Sequence, residues 1–177
     1  MPPNRANAKK CFRCSAPAPL PTITINKGTT GKVISNPVPI TGLIENIIAS
    51  ANSSLTVQSP KDGYNEQNPQ EWIDSTMECL NTLKLKKPKE FSQTVSLGIS
   101  GHMHGATLID KDGKVIRPCI LWNDTRSHHE CEEFENQNFD VRSVSGNITM
   151  PGFTAPKINW IKNNEIDNFK KIFKVLL

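Results

Sequence analysis

No stretch of this 177-residue chain approaches the run of about 18 apolar residues that crosses a bilayer, and hydrophobic residues make up only 36% of it. A membrane-spanning protein is excluded on this reading, and no membrane partner is expected. The opening residues, MPPNRANAKK, carry charge and proline with no apolar core behind them, so they do not form a secretory signal. Cysteine is scarce and odd in number, five in all, which rules out a disulfide-stapled miniprotein. An odd set of thiols suits a reducing compartment, and a cytoplasmic protein is expected. Aromatic residues stand at 6%, with a single Tyr, and no internal repeat is visible.

The net charge of +4 is unevenly spread. Residues 1–53 hold six Lys/Arg (5, 9, 10, 13, 27 and 32) against one acid, Glu45, while residues 54–177 hold fifteen bases against sixteen acids. Seven of the thirteen prolines lie in the first 40 residues. Residues 1–22 therefore read as a Pro-rich basic leader, expected to be disordered. The body is near neutral, so a basic nucleic-acid-binding domain is not expected. Cys11 and Cys14 in the leader form one CxxC pair. That is half of a zinc site or a redox pair. No second pair follows at finger spacing, and structural zinc wants four ligands, so incidental thiols are the preferred reading and no metal ligand is assigned.

From residue 23 onward strands alternate with helices. Ile23–Asn26 reads as a strand running into a Gly/Thr turn, and residues 45–50 as an edge strand. Leu55–Gln58 alternates like a strand, and residues 63–67 read as loop. Asn68-Pro69-Gln70-Glu71 is a helix start, with Asn as cap, Pro at the first helical position and Glu71 closing a capping box. Trp72, Thr76, Cys79, Leu80 and Leu83 then recur at helical spacing. Residues 94–100 read as a buried strand. Residues 106–110 and 115–122 flank Asp112-Gly113, a hairpin signal. Helices are expected over 126–136, over 154–164 with Thr154 as cap, and over 166–173. The apolar run Lys174–Leu177 looks like an entering strand, and the chain reads as truncated there. Cys79 and Cys119 sit in apolar patterns as small buried hydrophobes. The fold class is α/β, a mixed sheet with flanking helices.

Two stretches carry chemistry. Gly101-His102-Met103-His104-Gly105 lies between the expected strand and the hairpin. Its glycines allow a sharp turn, its His can exchange hydrogen bonds with a hydroxyl, and its Met offers an adaptable apolar wall. It reads either as a ligand loop at the end of a sheet strand or as a turn with two surface His. Trp122-Asn123-Asp124-Thr125-Arg126 sets an indole beside a carboxamide, a carboxylate and a guanidinium, the composition of a carbohydrate site. The plainer alternative is a helix N-terminus with Asp124 as cap and Arg126 on the surface.

Residues 55–177 resemble the N-terminal part of the FGGY carbohydrate kinases, in particular their xylulokinase branch. The matching stretches are Gly98–Leu108, Arg117–Arg126, Gly146-Asn147, Met150–Lys157 and Lys174–Leu177, in family order and at family spacing. The resemblance implies an actin-like (RNase H-like) ATPase fold, with residues 23–177 as an incomplete sugar-binding domain. It implies transfer of the γ-phosphate of ATP, with Mg²⁺, to D-xylulose, giving D-xylulose 5-phosphate. It places Met103 and His104 on the sugar and Trp122 and Asp124 along the pocket. Where the family has Gln, this chain has His102. The family's phosphate- and metal-binding loop falls on Asn26, Gly28, Thr29 and Thr30, with Asn26 in place of an Asp, a loss of the anionic oxygen that Mg²⁺ prefers. The family's catalytic Asp and its ATP-binding domain lie beyond residue 177. The chain alone is therefore expected to be inactive, and the full-length protein is compatible with a homodimer. Another FGGY ketose kinase, or a non-catalytic sugar-binding or interaction module, is the alternative.

Overall fold

A computed structural model describes residues 22–26, 47–94, 97–99, 102–136 and 141–177, the first of these spans by its backbone alone. Cys11, Cys14, Gly28, Thr29, Thr30 and Gly101 lie outside the described residues, as does the expected leader up to residue 21. Strand β1 (Thr22–Asn26) pairs antiparallel with β2 (Ile47–Asn52), with a shift of register between Ile25 and Asn26.

Helix α1 (Pro69–Lys86) starts where local chemistry places it. The Asn68 side chain accepts from the Gln70 N–H at 3.0 Å, and Pro69 takes the first helical position. Glu71 does not close a capping box; its carboxylate accepts from the Thr56 N–H at 3.1 Å instead, tying the extended lead-in to the helix. One face of α1 buries Cys79 and Leu83 against Ala51 of β2. Ile48, Ala49, Leu80 and Phe91 of α2 (Pro88–Ser92) close this core. Full burial of a side chain such as Leu83 stabilises by about 1.5–3 kcal/mol.

The second core forms around the expected hairpin. In β4 (Thr107–Ile109) and the return stretch, Ile116 N–H donates to the Leu108 carbonyl and Ala106 N–H to the Ile120 carbonyl, both at 3.0 Å. The turn is closed by Gly113 N–H to the Asp110 carbonyl at 3.1 Å, with Gly113 at φ +78°. Asp110, rather than Asp112, secures it: its carboxylate accepts from the amides of Asp112 and Lys114, each at 2.9 Å. The return strand is not continuous over 115–122. Pro118 has no N–H to donate, and the regular strand β5 is only Cys119–Ile120.

Ion pairing, not apolar pattern, decides the neighbour of β5. Glu66–Gln67, expected as loop, form β3 and pair antiparallel with Cys119–Ile120. The Glu66 carboxylate is taken by Arg117 and Arg126, which draws a polar dipeptide into the sheet. Leu55–Gln58 is not a strand; only Gln58 makes a bridge, to Glu66. Of the buried strand expected over 94–100, residues 95, 96 and 100 lie outside the described residues. Thr94 and 97–99 have no regular secondary structure, with Leu97 53% and Ile99 82% exposed. No ladder among the described residues takes them in.

Helices α3 (His128–Glu135) and α4 (Val141–Ser145) lead to α5 (Thr154–Asn164) and α6 (Ile166–Phe169). Thr154 is the first helical residue of α5 rather than its cap; Phe153 holds the cap position with no side-chain bond. Helix α6 stops short of 173 because the Phe173 N–H donates to Ile109 of β4 at 2.8 Å. The chain there enters β6 (Lys174–Leu176), antiparallel to β4, so the strand expected over 174–177 is present. Ala106, Leu108, Ile120 and Ile161 are fully buried in this core, ringed by Ile116, Ile158, Trp160, Phe169 and Ile172. Helix and strand are thus mixed, and every ladder among the described residues is antiparallel. None of the described helices is long and apolar enough to cross a membrane.

Candidate functional site

The segment from His102 to Gly105 turns sharply just before β4. The left-handed residue is His104, at φ +56°. A non-glycine residue in that region is uncommon and strained, which singles out the turn. Met103 at its tip is 68% exposed. The His104 ring packs on the Phe153 ring, 4.9 Å between centroids. His102 faces the other way and stacks on Trp72 at 5.7 Å, whose indole N–H donates to Gln67 Oε1 at 3.0 Å. Burial lowers the His102 pKa, opposed by the Met103 carbonyl and reinforced by the charge of Lys157. His102 thus packs on Trp72 in surroundings that disfavour its protonated form.

Lys157 joins this turn to the next segment. It is fully buried, and its Nζ donates to the His104 carbonyl at 2.7 Å and to the Gly152 carbonyl at 2.8 Å. Burial brings its pKa down to about 8; Cys119 and Asp124 push it up and Arg126 pushes it down. Gly152 lies so close to Trp122 that a Cβ there would sit 2.5 Å from the Trp122 carbonyl oxygen. His104, by its ring on Phe153, and Trp122, by its carbonyl beside Gly152, thus meet the same segment, while Met103 stands exposed at the tip of the turn. Lys157 and Phe153 were given no role in the sequence reading, although both lie in the Met150–Lys157 stretch; a lysine directly after the Thr154-Ala155-Pro156 helix start is a further signal that marks the position.

Asp124 lies two residues after Trp122 on the same loop. It is 1% exposed, and both its oxygens are engaged. Oδ2 accepts from the Asn65 N–H at 2.6 Å and from Arg126 at 2.8 Å, while Oδ1 accepts from the Arg126 N–H and Nε, each at 2.9 Å. Its bond to the amide two residues on shapes the turn before α3, but the cap position belongs to Ser127. Arg126 is not on the surface: its side chain is 1% exposed. The guanidinium lies over Tyr64 at 4.0 Å and Trp160 at 4.9 Å and also pairs with Glu66 at 2.6 Å. Burial alone would lower its pKa, but Asp124 and Glu66 outweigh that and hold it above its ordinary value. Arg117 bonds to Glu66 and Glu165 and completes a largely buried chain of alternating charge from the C-cap of α5 to the Trp122–Asp124 loop.

The remaining candidates are less informative. Asn26 ends β1, opposite Ile47, and its three companions Gly28, Thr29 and Thr30 lie outside the described residues. Among the described residues no group of three or more His, Cys, Asp or Glu converges as a metal site. Cys79, Cys119 and Cys131 are all buried. Burial raises each thiol pKa, that of Cys131 to about 11 with help from the negative charges of Glu130, Glu135 and Glu132. Such thiols are poor nucleophiles.

Comparison with known proteins places this geometry. The model of the FGGY family of carbohydrate kinases, N-terminal domain, matches residues 40–177. Xylulose kinases from Klebsiella pneumoniae and Escherichia coli are 41% and 40% identical over 131 residues, in each case 74% of this chain. The chain spans 27% of the length of these curated relatives. A crystal structure of a "xyloylose kinase" from Brucella ovis is 47% identical, with TM-score 0.72, and covers 75% of this chain and 28% of its own. That of xylulose kinase from Rhodospirillum rubrum is 26% identical, with TM-score 0.69, covering 73% and 27%. Sequence, fold and the order of the site-bearing segments thus agree that the chain belongs to the FGGY family of carbohydrate kinases, most of it matching that family's N-terminal domain.

Proposed function

We propose that residues 23–177 form part of the sugar-facing domain of an ATP-dependent kinase of xylulokinase type, one that transfers the γ-phosphate of ATP to D-xylulose to give D-xylulose 5-phosphate. The observation that carries the reading is the strained Met103–His104 turn. It presents an exposed thioether at its tip and an imidazole against Phe153, beside the Trp122 loop. An exposed Met and a ring held in place offer one adaptable wall and one fixed hydrogen-bonding group, which is what a ketose needs for orientation. Met103, His104 and Trp122 are the residues proposed to meet the sugar. Asp124 acts behind them: buried and fully bonded, it holds the Trp122 loop in place. ATP and Mg²⁺ are the proposed co-reactants, and Asn26, Gly28, Thr29 and Thr30 are the residues proposed to stand at the phosphate end. Cytoplasmic location, absence of nucleic-acid partners and a homodimer of the full-length protein belong to the same proposal.

A second reading, a sugar-binding module without transfer, is favoured by Asn26, which offers a neutral oxygen where a carboxylate would suit the metal. Titration of the methyl-labelled chain with D-xylulose and with glycerol tests the sugar site. The Met103 methyl is expected to shift with D-xylulose and not with glycerol; no shift with either removes the proposal. Joining the chain to the remaining part of a relative and measuring ADP release with D-xylulose then separates kinase from module.

A further inference from the structure

Lys157 occupies a place where a lysine is unfavourable on three counts. It is 0% exposed, and removing an ammonium from water is expensive. It is the fourth residue of α5, in the first helical turn, where the positive end of the helix dipole opposes a cation. Among the described residues it forms no salt bridge; Asp124 only helps it through its field, while Arg126 opposes it. A Met or Leu would fill the same volume without these penalties. What the ammonium provides is a pair of charge-assisted bonds to two backbone carbonyls, those of His104 and Gly152.

Both acceptors bear on the same feature. The direction of the His104 carbonyl is set by the backbone torsions at His104, the one described non-glycine residue with positive φ. Gly152 precedes Phe153, whose ring supports the His104 ring, and it packs against the Trp122 carbonyl. One ammonium therefore fixes the strained turn and the segment that buttresses it. We infer that Lys157 is a positioning residue: it holds His104 in its left-handed conformation and so sets the direction in which Met103 and His104 meet the sugar. The inference rests on the reading of that turn as the sugar contact.

The test uses the 177-residue chain, isotopically labelled, as wild type, Lys157→Met and Lys157→Arg. The Met variant keeps volume and removes both bonds; the Arg variant keeps the charge with a different reach, so it still decides the matter if the Met variant fails to fold. Two readouts are taken. The intraresidue amide–Hα NOE of His104, strong at positive φ, reports the turn without any ligand. The D-xylulose titration reports binding. Wild type is expected to show the strong NOE and a Met103 methyl shift. Each folded variant is expected to lose the strong NOE and to bind D-xylulose about tenfold or more weakly. A folded variant that keeps the NOE, or keeps wild-type affinity, overturns the inference. A wild type that ignores D-xylulose removes the sugar reading and the substrate role of Lys157 with it, whereas the NOE alone still decides whether Lys157 holds the turn.

Discussion

Arg126→Met is the most informative perturbation of the frame behind the site. The guanidinium is 1% exposed, and it binds Asp124 through Nε at 2.9 Å and a terminal nitrogen at 2.8 Å, and Glu66 at 2.6 Å. Methionine retains most of the volume, so the change isolates charge and hydrogen bonding. Neither carboxylate is left bare. Asp124 keeps the Asn65 and Arg126 amides, and Glu66 keeps Arg117. The loss should therefore sit at the lower end of the about 3–5 kcal/mol typical of breaking a buried pair. Lifting the cation from between Tyr64 and Trp160 adds about 0.5–2 kcal/mol. Set against a total stability of about 5–15 kcal/mol for a domain, that is a large share. Urea unfolding followed by far-UV circular dichroism measures it. A double-mutant cycle with Asp124→Asn should give a coupling of about 1 kcal/mol or more. The reasoning is refuted if Arg126→Met costs less than about 1 kcal/mol, or if the two changes simply add.

Three further outcomes are expected. Leu83→Ala, at a fully buried position between α1 and β2, should destabilise by about 2–5 kcal/mol in the same assay; a loss under about 1 kcal/mol would mean that this core does not support the fold. Gly152→Ala forces a methyl to 2.5 Å from the Trp122 carbonyl oxygen and should cost about 1–3 kcal/mol, with weaker D-xylulose binding in the titration; unchanged stability would show that the segment has room. Cys131, with its pKa raised from 9.0 to about 11, binds its proton more tightly folded than unfolded, so its contribution is intact below pH 9 and is lost as pH rises toward 11. The wild type should therefore lose stability relative to Cys131→Ala across that window, and parallel pH curves for the two proteins would contradict the assignment.

Local chemistry alone determined several elements. Asn68, Pro69 and the apolar recurrence from Trp72 to Leu83 specify the start and inner face of α1. Asp112-Gly113 marked the tight turn, though the Asp110 carboxylate secures it, and the stretch at 174–176 marked a strand. The bounds of α5 were also legible, because Thr154 to Asn164 alternates faces at helical period with a Pro in its first turn. The motif around Met103, His104 and Trp122 was legible as composition. These signals act within a few residues along the chain, where capping, turn closure and side-chain period operate.

Tertiary structure decided the rest, through partners far apart in sequence. Glu66 joins a sheet because Arg117 and Arg126, 51 and 60 residues later, neutralise it there. Arg126 reads as a surface residue by its neighbours, yet it is buried because two carboxylates and two aromatic rings converge on it. Nothing in the segment around Asp124 announces the Asn65 amide, 59 residues earlier, that donates to its carboxylate. The His104 carbonyl is met by the ammonium of Lys157, 53 residues away, a partner that no neighbour in sequence announces. A charge is stabilised by whatever the fold brings within a few ångströms of it, and that proximity is set by packing, not by position along the chain.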